Sequence, residues 1–132
     1  MVSHIQYWIP IIKSTDGRNN LIVFIDIGNN FPVIDKFEKG IATSIKSLDL
    51  NAPTYQKTGK VFNTLKGYID DLARFNGAKW KNINIQSSNI LGKQLDLALP
   101  FGSGSAVQWE QIQRAMKYAL QNNITMTINF IK

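Results

Sequence analysis

The chain has 132 residues, with 15 lysines and arginines against 9 aspartates and glutamates, and it carries a formal net charge of +6. Its hydrophobic fraction of 44% is that of a globular protein, and its length suits one domain over residues 1–132. Because it has no cysteine and only one histidine, His4, disulfides, thiol catalysis and multi-histidine metal sites are excluded.

The first half of the chain predicts strands. Residues 1–20 are expected to form an irregular or truncated lead without the basic start of a signal peptide. No run approaches the roughly 20 apolar residues that span a bilayer, so no membrane segment is expected. Leu21–Ile27 is apolar and rich in β-branched residues, which predicts a buried strand. Phe31–Phe37 and Ile41–Leu50, separated by a short turn containing Lys39 and Gly40, predict a hairpin.

The second half alternates helices and strands. Apolar residues recur every three or four positions over Val61–Phe75, which predicts an amphipathic helix, and Gln94–Pro100 alternates as a strand does. Ser105 with Gln108 forms the sequence of a capping box, which predicts the start of a second helix. The apolar face expected for that helix comprises Val107, Ile112, Met116, Ala119 and Leu120. Ile124–Ile131 predicts a last strand, so the fold class is α/β, a mixed central sheet flanked by helices.

The positive charge lies in one part of the chain. Residues 1–56 hold five cations and five anions, whereas residues 57–132 hold ten cations and four anions, so all of the +6 lies in the second part. Such an asymmetry predicts a polyanionic partner, either nucleic acid or an acidic protein. A contribution to solubility alone is the alternative.

The predicted hairpin brings chemically useful side chains together. With Lys39 and Gly40 as the two turn residues, Asp35 lies opposite Ser44, and Lys46 shares their face at a diagonal of about 7 Å. A carboxylate that holds a divalent cation beside an ammonium that stabilises an anionic phosphate suits phosphodiester cleavage. An exposed cross-strand ion pair is the alternative.

The segment from Asp35 to Tyr55, with its Ser44-Ile-Lys46-Ser-Leu-Asp core, resembles the C-terminal toxin domains of contact-dependent growth inhibition proteins, the CdiA-type tRNase family. The resemblance continues through Leu95–Pro100 to the closing Asn-Asn-Ile-Thr-Met-Thr-Ile strand, and it covers roughly Phe31 to the end. This family is similar to the PD-(D/E)XK nucleases. The resemblance therefore implies a PD-(D/E)XK-like sandwich.

The resemblance also implies roles for the hairpin residues. Asp35 corresponds to the first acid and the metal ligand of the superfamily, and Lys46 corresponds to its lysine. Ser44 stands where the second acid is expected, which leaves both a Mg²⁺-dependent and a metal-independent reaction open. The implied activity is an endoribonuclease toxin that cleaves tRNA. A DNase on the same scaffold and a non-catalytic binding module are the alternatives.

Substrate-binding residues are expected outside the hairpin. Tyr55, Lys57 and Lys60 precede the first helix and suit a phosphate near its N-terminus, the alternative being solvated loop residues. Trp80, between two lysines, suits stacking on an unpaired base, the alternative being an anchor for a loop. Gln108, at the start of the second helix, is included with them.

A toxin of this family implies a protective partner and a route out of the cell. The producing cell needs a cognate immunity protein, and the charge of +5 between Lys57 and Lys93, seven cations against two anions, predicts that it is acidic. The resemblance further implies secretion as the C-terminal part of a larger exported protein, with action in the cytoplasm of the target cell.

Overall fold

The computed structural model describes residues 11–15, 20–24, 34–80 and 83–131. The strands within these ranges are β1 Ile11–Thr15, β2 Asn20–Phe24, β3 Lys36–Glu38, β4 Ile41–Ser47, β5 Ala78–Trp80, β6 Ile83–Ile85, β7 Gly92–Pro100 and β8 Ile124–Ile131. The helices are α1 Lys60–Arg74 and α2 Ala106–Gln121, and short 3-10 turns occupy Pro53–Gln56 and Ser87–Asn89.

Six of the described strands form one mixed sheet in the order β1-β2-β3-β4-β7-β8. Neighbouring strands from β1 to β4 are antiparallel, whereas β4, β7 and β8 are parallel. The helices α1 and α2 contact each other, and they pack on β7 and β8 respectively, which places both on one face of the sheet. The predicted mixed α/β architecture is confirmed. Strand β1 and the separate β5–β6 hairpin were not predicted.

The core lies between the helices and this face of the sheet. In β7 the alternate residues Leu95, Leu97 and Leu99 are fully buried, as expected where one face of a strand meets a helix layer. The facing stripe of α1 contains Val61, Leu65, Ile69 and Leu72, all fully buried at helical spacing. The spacing of apolar residues in the sequence therefore agrees with the burial observed in α1 and β7.

Helix α2 departs from its predicted apolar face. The capping box is confirmed, since the Ser105 hydroxyl accepts from the Gln108 N–H and the Gln108 side chain accepts from the Ser105 N–H. Val107 and Leu120, however, are 64% and 65% exposed, so their predicted burial was wrong. Gln108 and Gln111 are buried instead, because their amide groups bond to backbone groups of neighbouring segments.

The hairpin turn has the predicted register. Glu38 pairs with Ile41 and Lys36 pairs with Thr43 across β3 and β4. Lys39 and Gly40 both have positive φ, 53° and 83°, which is the backbone of a two-residue type I′ turn. The turn therefore fixes which residues face each other along the hairpin.

Two glycines near α1 should respond in opposite ways to alanine. Gly77 has φ +144°, and a Cβ there would lie 2.5 Å from the carbonyl oxygen of Ile85, so Gly77→Ala should destabilise the fold by about 1–3 kcal/mol. A Cβ at Gly67, within α1, would meet nothing within 4 Å, so Gly67→Ala should stabilise it by about 0.5–1 kcal/mol. Urea denaturation measures both changes. Equal effects would contradict the geometry at Gly77.

Candidate active site at the β3–β4 hairpin

Asp35 lies just before β3 and is bonded to β4 through both its backbone and its side chain. Its N–H donates to the Thr43 carbonyl at 2.8 Å, and its Oδ2 accepts from the Ile45 N–H at 2.6 Å. Ile45 is the residue between Ser44 and Lys46. The carboxylate is therefore held against the part of β4 that carries the two other candidate residues.

The Asp35 carboxyl has an unusual affinity for its proton. Burial raises its pKa to about 6, although the hydrogen bond from Ile45 and the positive charge of Lys46 act in the opposite direction. The residue is only 5% exposed, so the ionised carboxylate lacks most of the hydration that it would have in water. A carboxyl with such a pKa is typical of functional sites, where burial and neighbouring charges are combined.

Ser44 places a hydroxyl group in the interior of the protein. The residue is fully buried, and its Oγ has no hydrogen-bond partner among the described residues. An unsatisfied buried hydroxyl costs about 1–3 kcal/mol, so few proteins retain one without a use for it. Ser44 is a suitable oxygen donor to a ligand or an ion beside Asp35.

Lys46 lies on the helix side of the sheet. In the parallel register Ser44 pairs with Leu95 and Lys46 pairs with Leu97, so both share the face that is covered by α1. The Lys46 Nζ lies 5.1 Å from the ring centroid of Tyr68 on α1, a cation–π contact. Within the described part of the chain, no carboxylate lies within 4.0 Å of this ammonium. Its charge is thus positioned by an aromatic ring and remains available to an anion.

The other acidic residues of the described chain lie in different surroundings. Asp49 is exposed and accepts from the Asn51 N–H at 3.0 Å, while Asp96 accepts from the Gln94 amide at 2.6 Å. In the ranges that the structure describes, no three acidic, histidine or cysteine side chains lie together so that they could hold a metal ion. Asp26 and His4 lie outside these ranges. The available donors, one carboxylate and one hydroxyl, suit a single hard cation that keeps most of its waters.

The residues expected to bind substrate are distributed around the first turn of α1. Tyr55 and Lys57 line a cavity beside α2, and Lys60, exposed, is the first residue of α1. Gln108 also lines the cavity, and its Nε2 donates to the carbonyls of Leu50 and Tyr55, each at 2.9 Å. It therefore holds the 3-10 segment onto α2.

Three further residues near these groups were not singled out by the sequence. Tyr68 contacts Lys46, and Gln111 and Arg114 line the cavity. Tyr68 lies within the predicted helix Val61–Phe75, and no local pattern marked Gln111 or Arg114. The backbone of Trp80 belongs to β5, and its side chain lies outside what the structure describes.

A family model described as the CDI toxin restriction endonuclease-like domain matches residues 10–129. The chain belongs to this family. The resemblance to CdiA-type toxins is thereby confirmed, and the restriction endonuclease-like description agrees with the mixed sheet.

Two relatives of this CDI toxin domain carry a more specific name. "Deoxyribonuclease CdiA" of Yersinia pseudotuberculosis serotype O:3 (strain YPIII) is 31% identical over 106 residues, which are 78% of this chain and 10% of the relative. "Deoxyribonuclease CdiA-o11" of Escherichia coli O157:H7 (strain EC869) is 28% identical over 106 residues, again 78% of this chain and 28% of the relative. The chain thus spans only a small part of either protein.

A solved structure has the same fold. It is described as the CdiA-CT/CdiI toxin and immunity complex from Yersinia pseudotuberculosis, and it matches with a TM-score of 0.68 and 28% identity over 80% of this chain and 87% of that chain. In the described part of the present chain, neither helix has the length and apolar character needed to span a membrane.

Proposed function

We propose that this CDI toxin domain is a nuclease that cleaves phosphodiester bonds of DNA, with Asp35, Ser44 and Lys46 as its active site. The observation that carries the proposal is the placement of a buried carboxyl just before β3 beside a buried hydroxyl and an ammonium on β4. Among the described residues the hydroxyl has no hydrogen-bond partner and the ammonium has no ion pair. The resemblance implied tRNA, with DNA as the alternative. The names of the two relatives support DNA.

Asp35 and Ser44 would hold a single Mg²⁺ ion. Asp35 Oδ2 is engaged by the Ile45 N–H, so the second carboxylate oxygen is oriented by the strand, and no described residue donates a hydrogen bond to it. The Ser44 hydroxyl supplies an uncharged oxygen ligand. When bound, Mg²⁺ neutralises phosphate charge and promotes the ionisation of a water molecule. At pH 7 and above, most Asp35 carboxyls are charged, because the pKa is about 6.

Lys46 would stabilise the negative charge that develops on the phosphate during cleavage. Its ammonium is held beside the Tyr68 ring instead of being neutralised by a described carboxylate. A fixed charge in a partly buried site acts more strongly on the transition state than a solvated one, because it needs no reorganisation. The lysine also positions the phosphate relative to Asp35.

Direct cleavage assays test the proposal. Purified domain is incubated with plasmid DNA and with total tRNA, in Mg²⁺ or in EDTA, alongside Asp35→Asn and the charge-matched Asp71→Asn, whose carboxylate is exposed on α1. We expect the wild type and Asp71→Asn to cleave DNA in Mg²⁺ and Asp35→Asn to be inactive. Cleavage of tRNA with intact DNA would overturn the substrate, and full activity of Asp35→Asn would overturn the site.

An acidic immunity protein is part of the same proposal. The structural neighbour is described as a toxin and immunity complex, and the +5 charge between Lys57 and Lys93 would attract acidic residues. The small share of each relative that the chain covers supports delivery as the C-terminal part of a larger exported protein into the target-cell cytoplasm.

The electrostatic part of the immunity proposal predicts a salt-dependent association rate. Stopped-flow measurement with the cognate immunity protein should show the rate falling at least tenfold between 50 and 500 mM salt, because screening weakens long-range steering. An association rate that does not change with salt would contradict the acidic partner.

A further inference from the structure

A cavity of about 380 Å³ lies between α2 and the segment that leads into α1. Its lining includes Tyr55, Lys57 and Gly59 on one side and Glu110, Gln111 and Arg114 on the other. The volume suits a small polar group better than a whole nucleotide strand. The cavity is separate from the Asp35, Ser44 and Lys46 cluster, none of which lines it.

The cavity presents an unused hydrogen-bond donor. The Phe62 N–H donates to Gln111 Oε1 at 2.9 Å, which identifies the oxygen of this amide and leaves its Nε2 as the other end. That nitrogen has no hydrogen-bond partner among the described residues, although Gln111 is only 5% exposed. An amide donor at the cavity wall favours a ligand that brings acceptor oxygens.

The surrounding charges favour an anion. Lys57 is exposed in the cavity lining. The Arg114 guanidinium lies 4.5 Å from the ring centroid of Phe62, a residue of α1, and this contact holds the guanidinium against α1. Glu110 opposes them, so the charged lining is net positive by one. The α1 N-terminus adds partial positive charge, since Gly59 caps it without a side chain and its first turn has no acidic residue.

The cavity adjoins the proposed active site through two tyrosines. Tyr55 lines the cavity, and the 3-10 segment that carries it contacts α1, the helix that carries Tyr68. The Tyr68 ring in turn contacts the Lys46 ammonium at 5.1 Å. A strand with its scissile phosphate at Lys46 would therefore pass close to the cavity.

We propose that this cavity binds a second, non-scissile phosphate group of the substrate strand, through Gln111 Nε2, Lys57, Arg114 and the first turn of α1. The inference rests on the proposed nuclease function. In this proposal Gln111 and Lys57 contribute to substrate affinity, and the hairpin residues carry out the chemical step.

Steady-state kinetics on a defined duplex separate affinity from chemistry. Gln111→Glu keeps an oxygen for the Phe62 N–H but replaces the donor by a group that repels phosphate, and Lys57→Gln removes a charge from an exposed residue. Each should raise KM about 5- to 20-fold with kcat within twofold of wild type. Gln113→Glu and Lys117→Gln make the same charge changes at exposed positions of α2 and should leave KM unchanged.

An NMR titration measures binding at the cavity without any chemical reaction. A 5′-phosphorylated thymidine dinucleotide should shift the Gln111 side-chain amide and the backbone amides of Lys60 and Val61 in the full chain, and Lys57→Gln should weaken this binding at least threefold. Shifts at these amides without cleavage of any nucleic acid would support the proposed phosphate site and refute the proposed nuclease function. Normal cleavage, with unchanged KM in both variants and no such shifts, would overturn the phosphate site alone.

Discussion

Replacing Lys46 by methionine is expected to slow DNA cleavage by about 10²–10³-fold, the usual loss when one preorganised donor to a developing oxyanion is removed. Methionine keeps a long apolar stem beside the Tyr68 ring, where the ammonium lies at 5.1 Å, so packing should be preserved. The variant therefore removes charge from the site with little change in shape. Single-turnover cleavage of a labelled duplex measures the effect on the chemical step.

Lys36→Met is the matched control for this prediction. Lys36 lies one strand away on β3 and is 4.0 Å from Glu38, in a pair whose side chains are both about one-third exposed. Its replacement changes the net charge equally and should leave the rate within about twofold. If Lys36→Met and Lys46→Met slowed cleavage equally, the loss would reflect overall charge, and the role of Lys46 at the scissile phosphate would be refuted.

The position of the hairpin residues followed from the sequence because a two-residue turn determines register by counting. With Lys39 and Gly40 in the turn, Glu38 pairs with Ile41, and the proximity of Asp35 to the Ser44–Lys46 segment follows. The bond from the Ile45 N–H to Asp35 and the unpartnered Ser44 hydroxyl could not be predicted. They depend on the side-chain rotamer and on burial by β7 and α1, which are distant in sequence.

The face of α2 shows where hydrophobic periodicity is insufficient. Val107 and Leu120 fit a helical stripe but are exposed, whereas Gln108 and Gln111 are buried by bonds to backbone groups some 50 residues away. A polar residue is buried when a distant backbone group needs a partner, and this demand is invisible in a local pattern. Tyr55 and Lys57 in the cavity lining were singled out from the sequence, whereas Gln111 was not, for the same reason.

The substrate is the least predictable feature because DNA and RNA share the phosphodiester chemistry that the hairpin serves. Asp35 and Lys46 would interact with the phosphate group, which is the same in both polymers. Discrimination depends on groups that contact the sugar and the bases. The +6 charge attracts either polymer, so the choice between the proposed DNA and the implied tRNA rests on surfaces away from the hairpin.

Asp35→Asn should make the domain more stable while it abolishes cleavage. The unfolded carboxyl ionises near pH 3.8 and the folded one near pH 6, because burial raises its pKa. Between these values the folded state binds the extra proton, so the free energy of unfolding falls as pH rises and stays lower above about pH 6. The full loss is about 2–3 kcal/mol. Asparagine carries no such cost and still offers an oxygen to the Ile45 N–H.

Urea denaturation in EDTA between pH 4 and pH 8 provides the measurement. Asp35→Asn should exceed the wild type by about 2–3 kcal/mol at pH 8, and the difference should shrink to about 0.5 kcal/mol at pH 4, where the folded Asp35 carboxyl is neutral and the unfolded one is about half ionised. Asp71→Asn, an exposed residue paired with Arg74, should change stability by less than about 0.5 kcal/mol at either pH. A constant difference between pH 4 and pH 8 would show that Asp35 is not a buried, destabilising charge. A gain confined to high pH would identify a carboxyl that the fold keeps at a cost, which is expected of a group retained for its chemistry.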